Sequence, residues 1–326
     1  MEHYLKNFRS QCREGLNLGR RFCQKRKMPS FRKILFWGVG GSAMSGDILR
    51  SITASHSSIL FTVHRGTAWP SWVDRDTCII FSSYSGNSRE VLDAIRNRNV
   101  SSRNVLIVTS GGSLEDVAKK MKAACILVPK GMPPRFALGY LAFSVLPILE
   151  KLGGFKVPVR ELHEMFSVLG RDYKTPAKQI ARKIVDQSIH VYGVSGPMEA
   201  AAVRWRAQLA ENAKTLASHH VLPEVFHNEI EGWIHPRSLI RRSVAVFLMD
   251  RDDGEELNLK RNAAIRHILR CGGQVLKVPS KGTGMLARLF SLVFMGDWVS
   301  FELAHLLKVD PMPITAIDAI KRVSLQ

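Results

Sequence analysis

This sequence is short of acid. Its 326 residues carry 28 Asp and Glu against 47 Lys and Arg, a formal net charge of +19. A field of that sign attracts anions, including phosphorylated metabolites and nucleic acid. The motifs of a dedicated nucleic-acid binder are missing too: no zinc-finger spacing and no aromatic RNP signature occur, so nucleic acid is not expected as the main partner. Five cysteines (Cys12, Cys23, Cys78, Cys125 and Cys271) are scattered, odd in number and form no CxxC pair. That argues against a disulfide framework or a cysteine-held metal and predicts reduced thiols in a cytosolic protein. No HExxH or other zinc spacing is formed. No apolar run approaches the roughly 20 residues of a membrane-spanning helix. The basic N-terminus, MEHYLKNFRSQCREGLNLGRRFCQKRK, lacks the apolar core and small-residue cleavage site of a secretory signal. A cytoplasmic location and no membrane partner are therefore expected.

What is present is an alternation. KILFWG (33–38), SILFTVHR (58–65), TCIIFSS (77–83), NVLIVTS (104–110) and ACILVP (124–129) are short, apolar and rich in β-branched residues. Helix-compatible stretches at Ser42–Ser51, Arg89–Arg98 and Leu114–Met121 separate most of them. Continuous apolar strands alternating with helices predict an α/β fold whose parallel sheet is covered on both faces. From Leu138 to about Asp186 helical patterns dominate, interrupted by Gly153-Gly154 and Pro158. The alternation resumes with SIHVYGV (188–194), a helix from Met198 to Leu216, SVAVFLMD (243–250), a helix from Glu255 to Leu269, and QVLKVPS (274–280). Helical segments at Leu286–Leu307 and Thr315–Arg322 close the chain. The expected organisation is a basic helical lead-in over 1–30, with Arg20, Arg21, Lys25, Arg26 and Lys27 clustered in it. An α/β domain over 31–152, helices linking it over 153–187, a second α/β domain over 188–310 and a helical tail over 311–326 follow. Two similar halves suggest a duplicated fold, with the cleft between them as the default site.

Two glycine- and serine-rich turns follow strands in the first half: Gly38-Val39-Gly40-Gly41-Ser42-Ala43 and Ser82-Ser83-Tyr84-Ser85-Gly86-Asn87-Ser88. Each stands at the carboxyl end of a strand, where parallel sheets place their ligands. The second opens a helix at Ser88, so unpaired main-chain N–H groups and the positive helix end favour an anion. Ser83, Ser85 and Ser88 add hydroxyl donors, and Gly86 removes the Cβ that would block close approach. With no lysine in the loop, a P-loop nucleotide site is disfavoured. A helix cap at Ser88 is the plainer alternative. The first turn also satisfies a GxGxxG/A dinucleotide pattern, and His64-Arg65 after the second strand imitates a reader of an NADP 2′-phosphate. An NADP-dependent oxidoreductase therefore remains a competing reading.

WGVGGSAMSGD, FSSYSGNSREVLDA, VTSGGSLEDVA, PPRFALGYLAF, LAENAK, EVFHNEIEGW and VDPMPITAIDAIKR, in this order from about Phe36 to Lys321, resemble the archaeal-type bifunctional phosphoglucose/phosphomannose isomerases. The resemblance implies two tandem sugar-isomerase (SIS) domains, a homodimer, and metal-free, cofactor-free interconversion of glucose and mannose 6-phosphates with fructose 6-phosphate through a cis-enediol. It implies roles that chemistry can check. Glu211, in LAENAK, matches the base that moves a proton between C1 and C2. His227, in HNEIEGW and 16 residues on, matches the group that opens the sugar ring from the neighbouring subunit. Lys321 matches a lysine that assists ring opening, and Arg135 the cation that stabilises the enediolate oxygens. Gly41, Ser42, Ser83, Ser85 and Ser88 match the phosphate-binding loops. Ser88 replaces the family's usual threonine, and Glu231 and the basic excess are departures from it. A rival is a non-catalytic SIS-domain sugar-phosphate sensor, although the 30 residues ahead of the alternation are few for the helix-turn-helix module such regulators carry.

Overall fold

A computed structural model describes residues 1–26, 29–54, 56–98, 100–153 and 155–323. Lys27 of the basic cluster and Gly154 lie outside the described residues. The chain divides into two compact units, Lys6–Val159 and Met1–Leu5 with Arg160–Gln326.

In the first unit the strands are β1 (Lys33–Trp37), β2 (Leu60–His64), β3 (Thr77–Ser82), β4 (Val105–Thr109) and β5 (Ala124–Leu127). They pair only in parallel, in the order β2-β1-β3-β4-β5. β3 and β4 are buried along their whole length, which is why their sequences are continuous apolar runs rather than alternating ones. On one face Leu35, Trp37, Ile79, Phe81 and Ile107 pack with Val91, Ile95 and Leu114 of the covering helices. The helices Phe8–Lys25 and Leu138–Gly153 approach each other closely. A Cβ on Gly15 would stand 2.9 Å from the Gly139 carbonyl, and one on Gly19 would collide with the Ser144 carbonyl. Tyr140 Oη also donates to Glu14 Oε2 at 2.7 Å across this pair.

The second unit repeats the plan with β6 (Ser188–Val194), β7 (Ala217–Leu222), β8 (Ser243–Met249) and β9 (Gln274–Pro279), parallel and in the order β7-β6-β8-β9. β7 escapes the sequence reading because ASHHVL is polar. It is an edge strand, mostly half-buried, where polar side chains are tolerated. The helix before it ends earlier than expected, at Ala213 rather than Leu216. Lys214 turns left-handed at φ 55° and donates its N–H to the Leu209 carbonyl, and Leu216 is left 90% exposed.

The helix Met285–Leu306 corrects another expectation. Among the described residues it is long and apolar enough to cross a membrane, although Arg288, Asp297 and Glu302 interrupt its apolar run. It is buried in the core of its own unit. Asp297 receives a two-pronged bond from Arg204, Nε to Oδ1 at 2.9 Å and Nη2 to Oδ2 at 3.1 Å. Gly296 leaves room for the Trp205 ring.

Candidate active site

The strand order of the first unit reverses between β1 and β3, and the two glycine- and serine-rich loops leave the carboxyl ends of those two neighbouring strands. This is the switch point at which a sheet of order 2-1-3-4-5 binds ligands; the dinucleotide-binding order is a different one, 3-2-1-4-5-6. Arg65, the supposed 2′-phosphate reader, is ion-paired with Asp47.

The loops are bonded to each other. Ser42 Oγ accepts from the Tyr84 amide at 3.1 Å. Ser83 and Ser88 share a hydroxyl–hydroxyl bond of 2.9 Å, and the Ser88 amide points to Ser83 Oγ at 3.4 Å. The Asn87 amide donates to Ser85 Oγ at 3.3 Å. Ser88 begins the helix Arg89–Arg96, yet its hydroxyl makes no cap bond to that helix; it faces Ser83 instead. Gly86 adopts φ +71°, and a Cβ there would collide with the Gly111 carbonyl, so no other residue fits this turn without rearrangement.

A third loop, Gly111-Gly112 after β4, closes against the serine loop. Gly112 approaches the Ser85 carbonyl too closely to bear a Cβ, and the Ser113 amide donates to Asn87 Oδ1 at 3.1 Å. Sequence reading noted its residues, VTSGGSLEDVA, but assigned them no role; the signal was two adjacent glycines after a strand. Tyr84 is a second omission. Its hydroxyl donates to the Pro129 carbonyl at 2.8 Å and accepts from the Met132 amide at 3.3 Å, fastening the segment that leads into Arg135.

Arg135 lies in a 3-10 turn, Pro134–Phe136. Gly41 brings this turn alongside the first loop: a Cβ on Gly41 would stand 2.9 Å from the Pro134 carbonyl and 3.1 Å from Arg135 Cα. Arg135 is 2% exposed, and its guanidinium lies 4.7 Å from the centre of the Phe136 ring. Gly41, Ser42, Ser83, Ser85, Ser88 and Arg135 thus converge at one edge of one sheet. Hydroxyls, main-chain amides and one enclosed cation suit a phosphorylated anion.

Glu211, His227 and Lys321 belong to the second unit. Glu211 is half-buried in the last turn of the helix Pro197–Ala213. Lys214 Nζ donates to the Glu211 carbonyl and to the Pro313 carbonyl, each at 2.6 Å. That joins the helix end to the segment just before the helix Thr315–Val323, which carries Lys321 exposed.

His227 is exposed at the end of the 3-10 turn Glu224–His227, beyond the carboxyl end of β7. The helix Pro197–Ala213 connects parallel strands β6 and β7, so it runs back across the sheet, and Glu211 sits near the amino edge. The two side chains therefore stand at opposite edges of one sheet, roughly 20 Å apart along the helix axis at 1.5 Å per residue. A single unit does not bring them together.

The turn bearing His227 is tied to the sheet by its neighbour Glu229. Glu229 Oε1 accepts from Tyr192 Oη at 2.6 Å, Oε2 pairs with His220 Nδ1, and Trp233 Nε1 donates to Tyr192 Oη at 3.0 Å. The chain of bonds continues from His220 Nε2 to Ser218 Oγ (2.6 Å) and from Ser218 Oγ to His190 Nδ1 (2.8 Å). Burial works against charge on Glu229, but the bonds from His220 and Tyr192 outweigh it and hold the carboxyl below its usual range. Burial and the Glu229 charge push the Tyr192 phenol well up.

Comparison with known proteins fits this geometry. Residues 28–146 match the SIS domain family, and residues 173–323 match the bacterial phospho-glucose isomerase C-terminal SIS domain. The chain is 32% identical over 325 residues to a bifunctional phosphoglucose/phosphomannose isomerase of Caldicellulosiruptor bescii, covering 97% of this chain and 96% of that one. It is 33% identical to the same-named protein of Aquifex aeolicus, over 89% of this chain and 90% of the other. Among solved structures, the hypothetical protein TT0462 of Thermus thermophilus shares the fold, with TM-score 0.78 at 15% identity over 98% of this chain and 89% of that one. With two SIS domains and relatives at this identity across nearly its whole length, the chain belongs to the bifunctional phosphoglucose/phosphomannose isomerase family.

Proposed function

We propose that this isomerase interconverts glucose 6-phosphate and mannose 6-phosphate with fructose 6-phosphate through a cis-enediolate. The observation that carries the substrate class is the convergence of Ser42, Ser83, Ser85 and Ser88 at the β1/β3 switch point beside the Arg135 turn. The phosphate is held by hydroxyls and main-chain amides, which bind an anion without placing a mobile cation beside the reacting carbons. Arg135 neutralises charge that develops on the enediolate oxygens, and its enclosure means that little reorganisation accompanies the reaction. Glu211 takes the proton from C2 of the aldose and returns it to C1 of the ketose, and the reverse. His227 and Lys321 open the pyranose ring, one moving a proton at the ring oxygen and the other at the anomeric hydroxyl. Both aldoses give the same enediolate, because its C2 is planar and no longer records which face lost the proton.

His227 acts in a homodimer, on the site of the neighbouring subunit. Its position at the sheet edge opposite Glu211 supports this reading, because one unit alone leaves the base and the ring-opening histidine apart. The test is a coupled assay with each aldose 6-phosphate, on the natural sequence and on Glu211→Gln. Turnover of both sugars by the natural sequence is expected, with loss of turnover on the order of 1,000-fold or more in the variant and retained sugar-phosphate binding. Full activity of Glu211→Gln would remove it as the base; turnover of neither sugar would overturn the reaction itself.

A further inference from the structure

The positive charge is unevenly distributed. Residues 6–159, the first unit, hold 24 Lys and Arg against 9 Asp and Glu, a net of +15 out of the chain's +19. Attraction of sugar phosphate does not explain where it sits. The phosphate loops occupy the carboxyl edge of the sheet, whereas a row of cations lines its amino edge.

Each of four adjacent strands begins one or two residues after an exposed basic side chain. Arg32 precedes β1, Arg75 precedes β3, Arg103 precedes β4 and Lys122 precedes β5. With strands about 4.8 Å apart, three intervals give a row about 15 Å long. The helices that cross back over the sheet end on the same edge, adding exposed Arg96 and Lys120. Among the described residues none of these six is in an ion pair. Of the acids here, Asp74 is engaged by Lys33 at 2.6 Å, and Asp76 is exposed between Arg75 and β3. Cations at helix ends complement the helix dipole, but among the described residues Arg32 and Arg75 stand in no helix, and Arg103 lies in a 3-10 turn of three residues, Ser102–Asn104, too short to carry much of a dipole.

We propose that this amino-edge row is a binding surface for the phosphodiester backbone of single-stranded nucleic acid, separate from the sugar-phosphate loops. Three chemical features select this partner. The row is linear and spaced on the scale of successive backbone phosphates. Three of its four strand-start cations are arginines, whose planar forks match phosphate oxygens two at a time. Large exposed apolar side chains are too few here to insert between lipid tails: among the described residues of this unit they are Leu60, Leu127 and Val159, and of these Leu60 alone begins a strand at this edge, beside Arg32, whereas Leu127 ends β5 at the opposite edge and Val159 is the unit's last residue. Binding through phosphates alone is indifferent to base sequence and steeply dependent on salt.

The experiment is fluorescence anisotropy of a labelled 20-nucleotide oligouridylate, titrated with the full chain across a salt series. The proposal expects a dissociation constant in the micromolar range at low salt. It expects the triple variant Arg32→Ala/Arg75→Ala/Arg103→Ala to bind at least tenfold more weakly, with the logarithmic salt slope reduced by about 2, given about 0.7 per phosphate contact on a single strand. Isomerase activity should be unchanged in that variant. A control, Arg237→Ala/Arg266→Ala/Arg270→Ala, removes as much exposed charge from the second unit and should leave binding within about twofold, since the proposal assigns the phosphate contacts to the row alone. Four results would each overturn the proposal: no binding at low salt, equal loss in both triple variants, displacement of the oligonucleotide by fructose 6-phosphate, or tighter binding to phosphatidylserine vesicles than to the oligonucleotide. None of these outcomes depends on the assignment of Glu211, His227 or Lys321.

Discussion

Glu229 shows how one side chain can fix another that it does not touch. Its carboxylate holds Tyr192 and His220, both on sheet strands, and so anchors the turn that presents His227 two residues away. Glu229→Ala removes that tether and leaves Tyr192 Oη, buried and still receiving the Trp233 bond, without its acceptor. The expected outcome in steady-state kinetics with fructose 6-phosphate is a fall in kcat on the order of 10- to 100-fold at nearly constant KM, because misplacement by about 1 Å costs roughly that much. Circular dichroism should show the fold retained. His227→Ala combined with Glu229→Ala should lose no more than His227→Ala alone; additive losses would show that Glu229 acts elsewhere. Sequence reading reached HNEIEGW as a motif but could not see this tether, since Tyr192 and His220 lie 37 and 9 positions from Glu229.

Helix ends carry a second kind of dependence. The long helix Met285–Leu306 begins against two glutamates of the helix Val159–Leu169. Glu164 accepts from the Thr283 amide (2.6 Å), the Thr283 hydroxyl (2.8 Å) and the Gly284 amide (2.9 Å), and Glu161 accepts from the Leu286 amide at 2.8 Å. Main-chain N–H groups that the helix leaves unbonded are thus capped by side chains from another helix. These bonds hold the Glu164 carboxyl below its ordinary value of 4.5. A depressed folded-state value stabilises the fold above the unfolded value, and that contribution is lost as pH falls through the folded one. Thermal melts should therefore show a natural-minus-Glu164→Gln difference of about 1 kcal/mol at pH 7, after discounting for solvent screening, that shrinks as pH falls below the ordinary value of 4.5 and through the folded one. A constant difference across pH would sink the account. Elements with strong periodicity were legible without coordinates, and β6 matched its expected bounds of 188–194. β7 was not, because an edge strand carrying His219 and His220 has no apolar signature.

At the scale of the whole molecule, the separation of Glu211 from His227 within one unit supports the proposal that assembly is part of the chemistry. Inactive Glu211→Gln and inactive His227→Ala chains, unfolded together and refolded, should regain about a quarter of natural activity, because half of randomly paired dimers are mixed and each mixed dimer has one intact site. No recovery, with dimers confirmed by light scattering, would place both groups in one subunit. The sequence by itself determined the class of fold, since buried parallel strands must be continuous apolar runs separated by helices. It also placed two loops dense in serine and glycine at the carboxyl ends of strands, a composition and a place that suit an anion. Only the tertiary structure decided the strand order that sets β1 beside β3, and with it the pairing of Ser42 with the serine loop. It also decided the contact of Gly41 with the Arg135 turn, and the gathering of dispersed arginines along one edge. These are relations between residues far apart in the chain, and they are fixed by which strands share hydrogen bonds and not by any local preference.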